Sequence, residues 1–355
     1  MIPQEIPSLF LSTDEDGFLI DDEKKITNLE IGSGVLANLT LLPNNSFGSW
    51  YHHQPVIVEA FDSPLIVQSI ERMVLPEKNL NKLLKLHFHY DYCKFVAVQN
   101  LFVDHWDRLH GELENGIPFT FSRKAQEQFF EMLEEYTDEE FEWHGETEKF
   151  HPFWLESSAI DSPQWWNHIY VNETPGWNLE SPAETLKDML PRLKLPKSKI
   201  LVLGCGDSHD AAFFASHGHL VTAVDISTHA IERSKKLYGH LDTLKWLEAD
   251  LFNLPESFHG QFDLIFEYTC YCAINPHRRK ELIKVWNQCL HDQGQLMATF
   301  FCMHKRQGPP FGSTEWEIRE FLKKDFQFLF WGRWKKSIPR RQGRELFVLA
   351  KKRIK

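Results

Sequence analysis

Hydrophobic and polar positions along the chain fall into two regimes. Up to about residue 100 the apolar residues come in short alternating runs, GVLANLTLL and PVIVEAF among them, broken by the turn clusters EDG, PNN and DSP. Alternation with a period of two predicts strands with one buried face. KLHFHYDYCKFVAV reads as one longer strand, which would carry His87, His89 and Asp91 on a single face. SRKAQEQFFEMLEEYTDEEFEW then spaces Phe129, Phe130, Leu133 and Tyr136 as a helix does, with Ser122 in the N-cap place.

From about residue 180 the pattern changes. SPAETLKDMLPRL opens a helix, with Ser181 as cap and Pro182 at its first position. KILVLGCG is apolar throughout, as a central parallel strand is. DSHDAAFFASHG predicts a helix closed by Gly218, HLVTAVDIS a strand, and THAIERSKKLYG a helix closed by Gly239. Further strands are expected in LKWLEADLF, FDLIFEYT, QLMATFF and RELFVLAKKR, and further helices in RRKELIKVWNQCLHDQG and TEWEIREFLKKDF. Strands alternating with helices build a parallel sheet covered on both faces. The change of regime sets a boundary near residue 155. It separates a β-rich α+β domain, 1–155, from an α/β domain, 156–355.

Charge sharpens that division. Residues 1–160 hold 11 basic and 28 acidic side chains, and the remainder hold 28 and 22, so the net −11 splits into −17 and +6. Solvated faces account for this, and docking of the acidic half on the basic half is a second reading. Residues 333–355 carry ten Lys and Arg against one Glu, read as a solvated chain end rather than a nucleic-acid surface. The six cysteines form no framework, no apolar run approaches the roughly 18–20 residues of a membrane span, and MIPQEIPSLF has no leader pattern. Cytoplasmic placement without membrane contact is the expectation. His87, His89 and Asp91 evoke a two-histidine, one-carboxylate site, but adjacent strand positions rarely supply all three ligands, so a polar strand face is preferred and no metal is expected.

The chemistry lies in ILVLGCGDSHDAAFFASHGHLVTAVDIS. Gly204 and Gly206 stand where the first parallel strand turns into its helix, the place where such sheets bind ligands. The turn lacks the third glycine of the dinucleotide fingerprint and has no Gly-Lys-Ser/Thr, which argues against a nicotinamide dinucleotide or a nucleoside triphosphate. It carries Asp207 and Asp210 instead. Acids at a helix start repel a pyrophosphate and suit a cation. S-adenosylmethionine, a phosphate-free nucleoside with a sulfonium and an ammonium, fits. Asp225 ends the second strand, where an acid can accept both ribose hydroxyls, and Asp250 ends the third, where it could accept the adenine amino group while Leu251 covers the ring. Cys270 and Cys272, two apart on an expected strand end, are read as structural, as is Cys205 between the glycines.

QWWNHIYVNETPGWNLESPAETL, the glycine segment, VTAVDIS, FDLIFEYTCYCAINPHRRKEL and GPPFGSTEWEIREFL occur in the order that resembles the thiopurine S-methyltransferase-like family, over residues 163–350. That group includes enzymes methylating thiols, thiocyanate, halides and oxidised chalcogens. The resemblance implies a class I methyltransferase: a Rossmann-like, doubly wound, mostly parallel seven-stranded sheet. It implies cofactor contacts at Trp166, Tyr170 and Trp177, at Gly204 and Gly206, at Asp225 with Ile226, at Asp250 with Leu251, and at Tyr268. Tyr170 stands where tryptophan is usual, and Ser208 where many members have glycine. Tyr268, Tyr271 and Arg279 are the candidates beside the methyl acceptor. The expected activity is methyl transfer to a small soft nucleophile. Methylation of an RNA or protein recognised through residues 1–155, or non-catalytic cofactor binding, are the alternatives.

Overall fold

The computed structural model describes residues 9–73, 82–155, 157–172 and 175–354. Most of the chain start read above, and two positions of the aromatic stretch before Pro175, lie outside them. The chain divides into two compact units, Met1–Leu155 with Thr314–Trp316, and Glu156–Ser313 with Glu317–Lys355.

The first unit holds four sheets of six, five, three and two strands among its described residues. Phe129, on the buried side of helix Arg123–Met132, packs between Phe121, Phe141 and Trp143. Ser122 caps that helix through Ala125 N. The helix stops eleven residues earlier than the pattern suggested. Glu140–Trp143 is a strand paired with Glu146–Lys149, so Phe141 and Trp143 alternate inward as strand residues. The long strand expected over residues 85–98 is a hairpin, Leu83–His87 against Cys93–Ala97. Tyr90 and Asp91 take φ of 62° and 55° at its turn, which ends the two-residue alternation. His87 therefore faces Glu71, while His89 stacks on Phe18 at 3.6 Å, and the three residues share no face. A buried polar network lies elsewhere in this unit, His110 bridging Asp104 and Thr120 while Arg108 pairs with Asp104 and Asp62.

In the second unit the described helices and strands are α1 (Pro163–Asn172), α2 (Glu184–Leu193), β1 (Lys199–Leu203), α3 (His209–Ser216), β2 (Leu220–Asp225), α4 (Thr228–Tyr238), β3 (Leu244–Glu248), β4 (Phe262–Tyr268), α5 (Arg279–Cys289), β5 (Leu290–Phe301), α6 (Glu315–Leu322, whose first two residues are counted with the first unit), β6 (Phe326–Arg333) and β7 (Glu345–Lys352). The strands form one sheet in the order β3-β2-β1-β4-β5-β7-β6. The ladders β3-β2, β2-β1, β1-β4 and β4-β5 are parallel, and β7 runs antiparallel to both its neighbours, so the sheet is mixed. One apolar cluster covers each face, one built around Trp286 and Phe300, the other around Phe214 and Phe266. Strand order reverses between β1 and β4, which opens a crevice at their carboxyl ends. Helix α2 begins at Glu184, two residues after the expected place, because Asp210 Oδ1, rather than Ser181, accepts the backbone N–H of Ala183 at 2.7 Å.

Candidate functional site

The turn after β1 is built from left-handed residues. Gly204, Gly206 and Ser208 have φ of 62°, 51° and 61°. A Cβ on Gly204 would stand 2.6 Å from Cys270 Sγ, and one on Gly206 would stand 2.8 Å from the Tyr170 hydroxyl. Glycine is needed at both for conformation and for space. Ser208 has the costly φ without that freedom. Its hydroxyl lies 2.9 Å from Ser234 Oγ and accepts from Trp246 Nε1 at 3.3 Å, holding the turn where a glycine would leave it loose. Ser234 donates to Gly206 O at 2.7 Å. Asp225 ties the turn to β2, its Oδ2 accepting Gly206 N at 2.8 Å and its Oδ1 accepting Ser227 N at 2.9 Å. Burial raises its pKa. A carboxylate has about four acceptor positions, and the Ile226 N–H takes a share of them too, so part of its capacity remains for a ligand.

A cleft opens over this turn. Tyr170, Trp177, Gly204, Gly206, Asp207, Asp210 and Tyr268 line it, and no lysine or arginine is among its described lining residues. Trp177 meets Trp166 and Tyr170 edge-on, with centroids 5.7 and 6.1 Å apart. Asp207 Oδ2 accepts from Asn178 at 2.5 Å and from Arg233 at 2.7 Å, while Oδ1 is buried and takes no hydrogen bond. Burial pushes the Asp210 carboxyl up to about 6.

Trp166, Asp225, Ile226, Asp250 and Leu251 do not line this cleft. Asp225 and Ile226 stand at the adjoining end of β2, and Asp250 and Leu251 just beyond β3. Asp250 caps its own turn, Oδ1 accepting Phe252 N at 2.9 Å and Oδ2 accepting from Asn253 at 2.8 Å. Tyr268 closes β4 facing the cleft. Its hydroxyl donates to Glu345 Oε1 at 2.7 Å and accepts from Arg341 Nη1. Burial and the Glu345 carboxylate hold that phenol protonated, its pKa far above the usual value.

Two acceptor-side candidates are placed elsewhere. Arg279 is fully buried and pairs with Glu317 at 2.6 Å, with its guanidinium 4.5 Å from the Tyr271 ring centre. The Tyr271 hydroxyl donates to the same carboxylate at 3.1 Å. Both residues belong to a core ion-pair cluster rather than to the cleft lining, because the chain leaves β4 through a 3-10 turn that carries them inward. Cys270 and Cys272 lie in that bend, not on a strand. The pattern missed Arg341. It lies in the basic stretch read as a solvated end, yet it is 3% exposed, reaching Trp177 O at 2.9 Å as well as Tyr268. Its only sequence signal is a position four residues before Glu345, at the entry to the last strand.

Comparison with known proteins agrees with this arrangement. Residues 161–345, just over half of the chain, match the family model described as thiopurine S-methyltransferase. A probable thiol methyltransferase 2 of Arabidopsis thaliana is 31% identical over 177 residues, covering 49% of this chain and 76% of that protein. Thiocyanate methyltransferase 1 of Brassica oleracea is 28% identical over 41% of this chain and 65% of its own length. A thiopurine S-methyltransferase of Francisella tularensis subsp. novicida is 26% identical over 44% of this chain and 76% of its own. With its glycine turn and strand-end acids inside the matched segment, the chain belongs to the thiopurine S-methyltransferase family and is an S-adenosylmethionine-dependent methyltransferase.

Proposed function

We propose that the cleft over the β1 turn holds S-adenosylmethionine and that the enzyme methylates a small soft nucleophile such as a thiol, sulfide, thiocyanate, halide or a selenium or tellurium species. The observation that carries this reading is the donor set of the cleft. Two glycines leave bare backbone, a buried Asp207 oxygen has no hydrogen-bond donor, and two aspartates line the walls without a lysine or arginine. An orphaned carboxylate oxygen suits an ammonium group and opposes a pyrophosphate.

Asp207 would receive the ammonium of the methionine part, Asp225 the ribose hydroxyls through its remaining acceptor capacity, and Asp250 with Leu251 the adenine. Trp177, Tyr170 and Tyr268 would set aromatic faces around the sulfonium, worth on the order of 1 kcal/mol each. When bound, the cofactor supplies a methyl group already activated on sulfonium sulfur, so that an acceptor lone pair forms the new bond while the carbon–sulfur electrons return to sulfur. The chain's part is alignment and exclusion of water. Tyr268, its proton committed to Glu345, is a positioned wall rather than a base. The names of the plant relatives, thiol and thiocyanate methyltransferase, favour a soft acceptor. The test is transfer of labelled methyl from the cofactor to a panel of hydrosulfide, thiocyanate, iodide, an aromatic thiol and selenite. Turnover of at least one is expected. A chain that binds the cofactor and methylates none of them contradicts the acceptor assignment.

A further inference from the structure

Asp207, whose unpaired oxygen is the proposed seat of the cofactor's ammonium, does not stand alone. A chain of side chains runs into it from the end of α4. Tyr238, the last residue of α4, places its hydroxyl 2.6 Å from His209 Nδ1. His209, the first residue of α3, lines the cleft, and its Nε2 lies 3.2 Å from Asn178 Oδ1. Asn178 Nδ2 in turn donates to Asp207 Oδ2 at 2.5 Å. Asn178 and Asp207 line the same cleft.

Its two ends fix the direction of every bond in this chain. A carboxylate only accepts, so the Asn178 amide must turn its nitrogen to Asp207. The amide oxygen then faces His209, and it also accepts from Glu180 N at 2.8 Å. That oxygen only accepts, so His209 must donate from Nε2. Burial lowers the His209 pKa, which keeps the ring neutral at neutral pH. Its Nδ1 is then an acceptor for the Tyr238 hydroxyl, and the hydrogen-bond pattern assigns the tautomer.

Arg233 shows what this chain prevents. Its Nη2 pairs with the same Asp207 Oδ2 at 2.7 Å, and its Nη1 donates to Tyr170 O at 3.4 Å. A guanidinium favours gripping both oxygens of a carboxylate in parallel. Asn178, sharing Oδ2 with Arg233, keeps the pairing to one oxygen and leaves Oδ1 without a hydrogen bond. Released from Asn178, the carboxylate would be free to give both oxygens to Arg233, and the ammonium would lose its acceptor.

We propose that His209 is a positioning residue for the amino-acid end of the cofactor: through Asn178 it keeps Asp207 Oδ1 open to an ammonium and out of a two-oxygen pairing with Arg233. This rests on the S-adenosylmethionine reading of the cleft given above. His209 acts through Asn178 and moves no proton. Tyr238 holds the far side of its ring, where the hydroxyl meets Nδ1 and the two rings stand edge to face at 5.8 Å.

The test titrates S-adenosylhomocysteine, which carries the same ammonium, into the full chain and its variants by calorimetry. His209→Ala is expected to weaken binding by about five- to thirtyfold, the scale of a lost hydrogen bond in a charged site. His209→Gln, whose amide nitrogen can donate to Asn178 Oδ1, should stay within about threefold of the unaltered chain. In an Asp207→Asn background, which removes the charge that His209 serves, His209→Ala should weaken binding by less than about twofold. Asn178→Leu breaks the same link from a residue outside any helix, so it should match His209→Ala and add nothing to it, and it decides the matter should His209→Ala not fold. A His209→Ala loss that persists undiminished in the Asp207→Asn background, or that glutamine does not restore, would make His209 a structural part of the turn and overturn the proposal. Unchanged affinity in both His209→Ala and Asn178→Leu would overturn it as well, leaving the cofactor reading in place. Failure of the unaltered chain to bind S-adenosylhomocysteine would overturn the cofactor reading, and this proposal with it.

Discussion

Replacing Gly204 with alanine separates two costs that the structure assigns to one atom. The backbone at this position has φ of 62°, where an L-residue is disfavoured by about 1–2 kcal/mol. The added Cβ would also lie 2.6 Å from Cys270 Sγ and 2.9 Å from Cys270 Cβ, with the next atom, Cys270 Cα, at 3.8 Å. Overpacking a buried contact of this kind costs about 1–3 kcal/mol. The single variant should therefore lose roughly 2–5 kcal/mol, measured by urea denaturation. Cys270→Gly removes both crowding atoms while leaving the dihedral untouched. Made in the Cys270→Gly background, Gly204→Ala should cost only the dihedral part, about 1–2 kcal/mol, and the cycle should return a coupling of about 1–3 kcal/mol. Calorimetry on the same proteins should show weaker S-adenosylmethionine binding for the single variant and partial recovery in the pair. A single variant within about 0.5 kcal/mol of the unaltered chain, the ordinary surface range, or zero coupling to Cys270, would refute this geometry.

Other outcomes follow from neighbouring residues. Asp225→Ala should weaken S-adenosylmethionine binding by about 1–3 kcal/mol in calorimetry through lost charge-assisted hydrogen bonds; unchanged affinity would remove Asp225 from the site. Arg279→Met should destabilise by about 3–5 kcal/mol, because the buried Glu317 carboxylate would lose the Arg279 guanidinium, and Glu317→Leu should recover much of that loss; an unaltered denaturation midpoint would contradict the core assignment. Burial raises the Glu267 carboxyl from 4.5 to about 8. The folded state thus keeps a proton that the unfolded state releases, so stability from this group is full below pH 4.5 and lost as pH rises through about 8. Glu267→Gln should remove that loss, up to about 1.4 kcal/mol per pH unit across the window, and melting curves from pH 5 to 9 that run parallel for the two proteins would contradict it.

What could be read from the sequence was what local geometry dictates. Strands β1 and β2 are apolar runs ending at a glycine turn or an acid, and each sits where its pattern placed it. The constraint on Gly204 and Gly206 is equally local, since φ belongs to the residue itself. Strand β6 escaped the pattern because a bulge between Phe328 and Phe330 breaks its alternation and leaves Leu329 and Phe330 exposed. In β5 the run HDQG, read as the end of a helix, belongs to the strand, where a register shift accommodates it. The hairpin at Tyr90 and Asp91 failed for a related reason: left-handed residues there are neither glycine nor asparagine, so no turn signal marked them. Arg341 was out of reach for another reason. Its partner Tyr268 lies 73 residues away, and charge counted along the chain does not reveal which arginine the fold buries. Tyr271 and Arg279 follow the β4 strand end closely, but the partner that decides their place, Glu317, comes 38 residues after Arg279.

What occupies the crevice between β1 and β4 decides the function of this enzyme. A crystal of the full chain grown with S-adenosylhomocysteine should show the nucleoside along the Gly204–Gly206 turn, its ammonium on the orphaned Asp207 oxygen and its sulfur beside Tyr268. Density for that molecule elsewhere on the chain, or a cleft that takes NADH in its place, would contradict that placement.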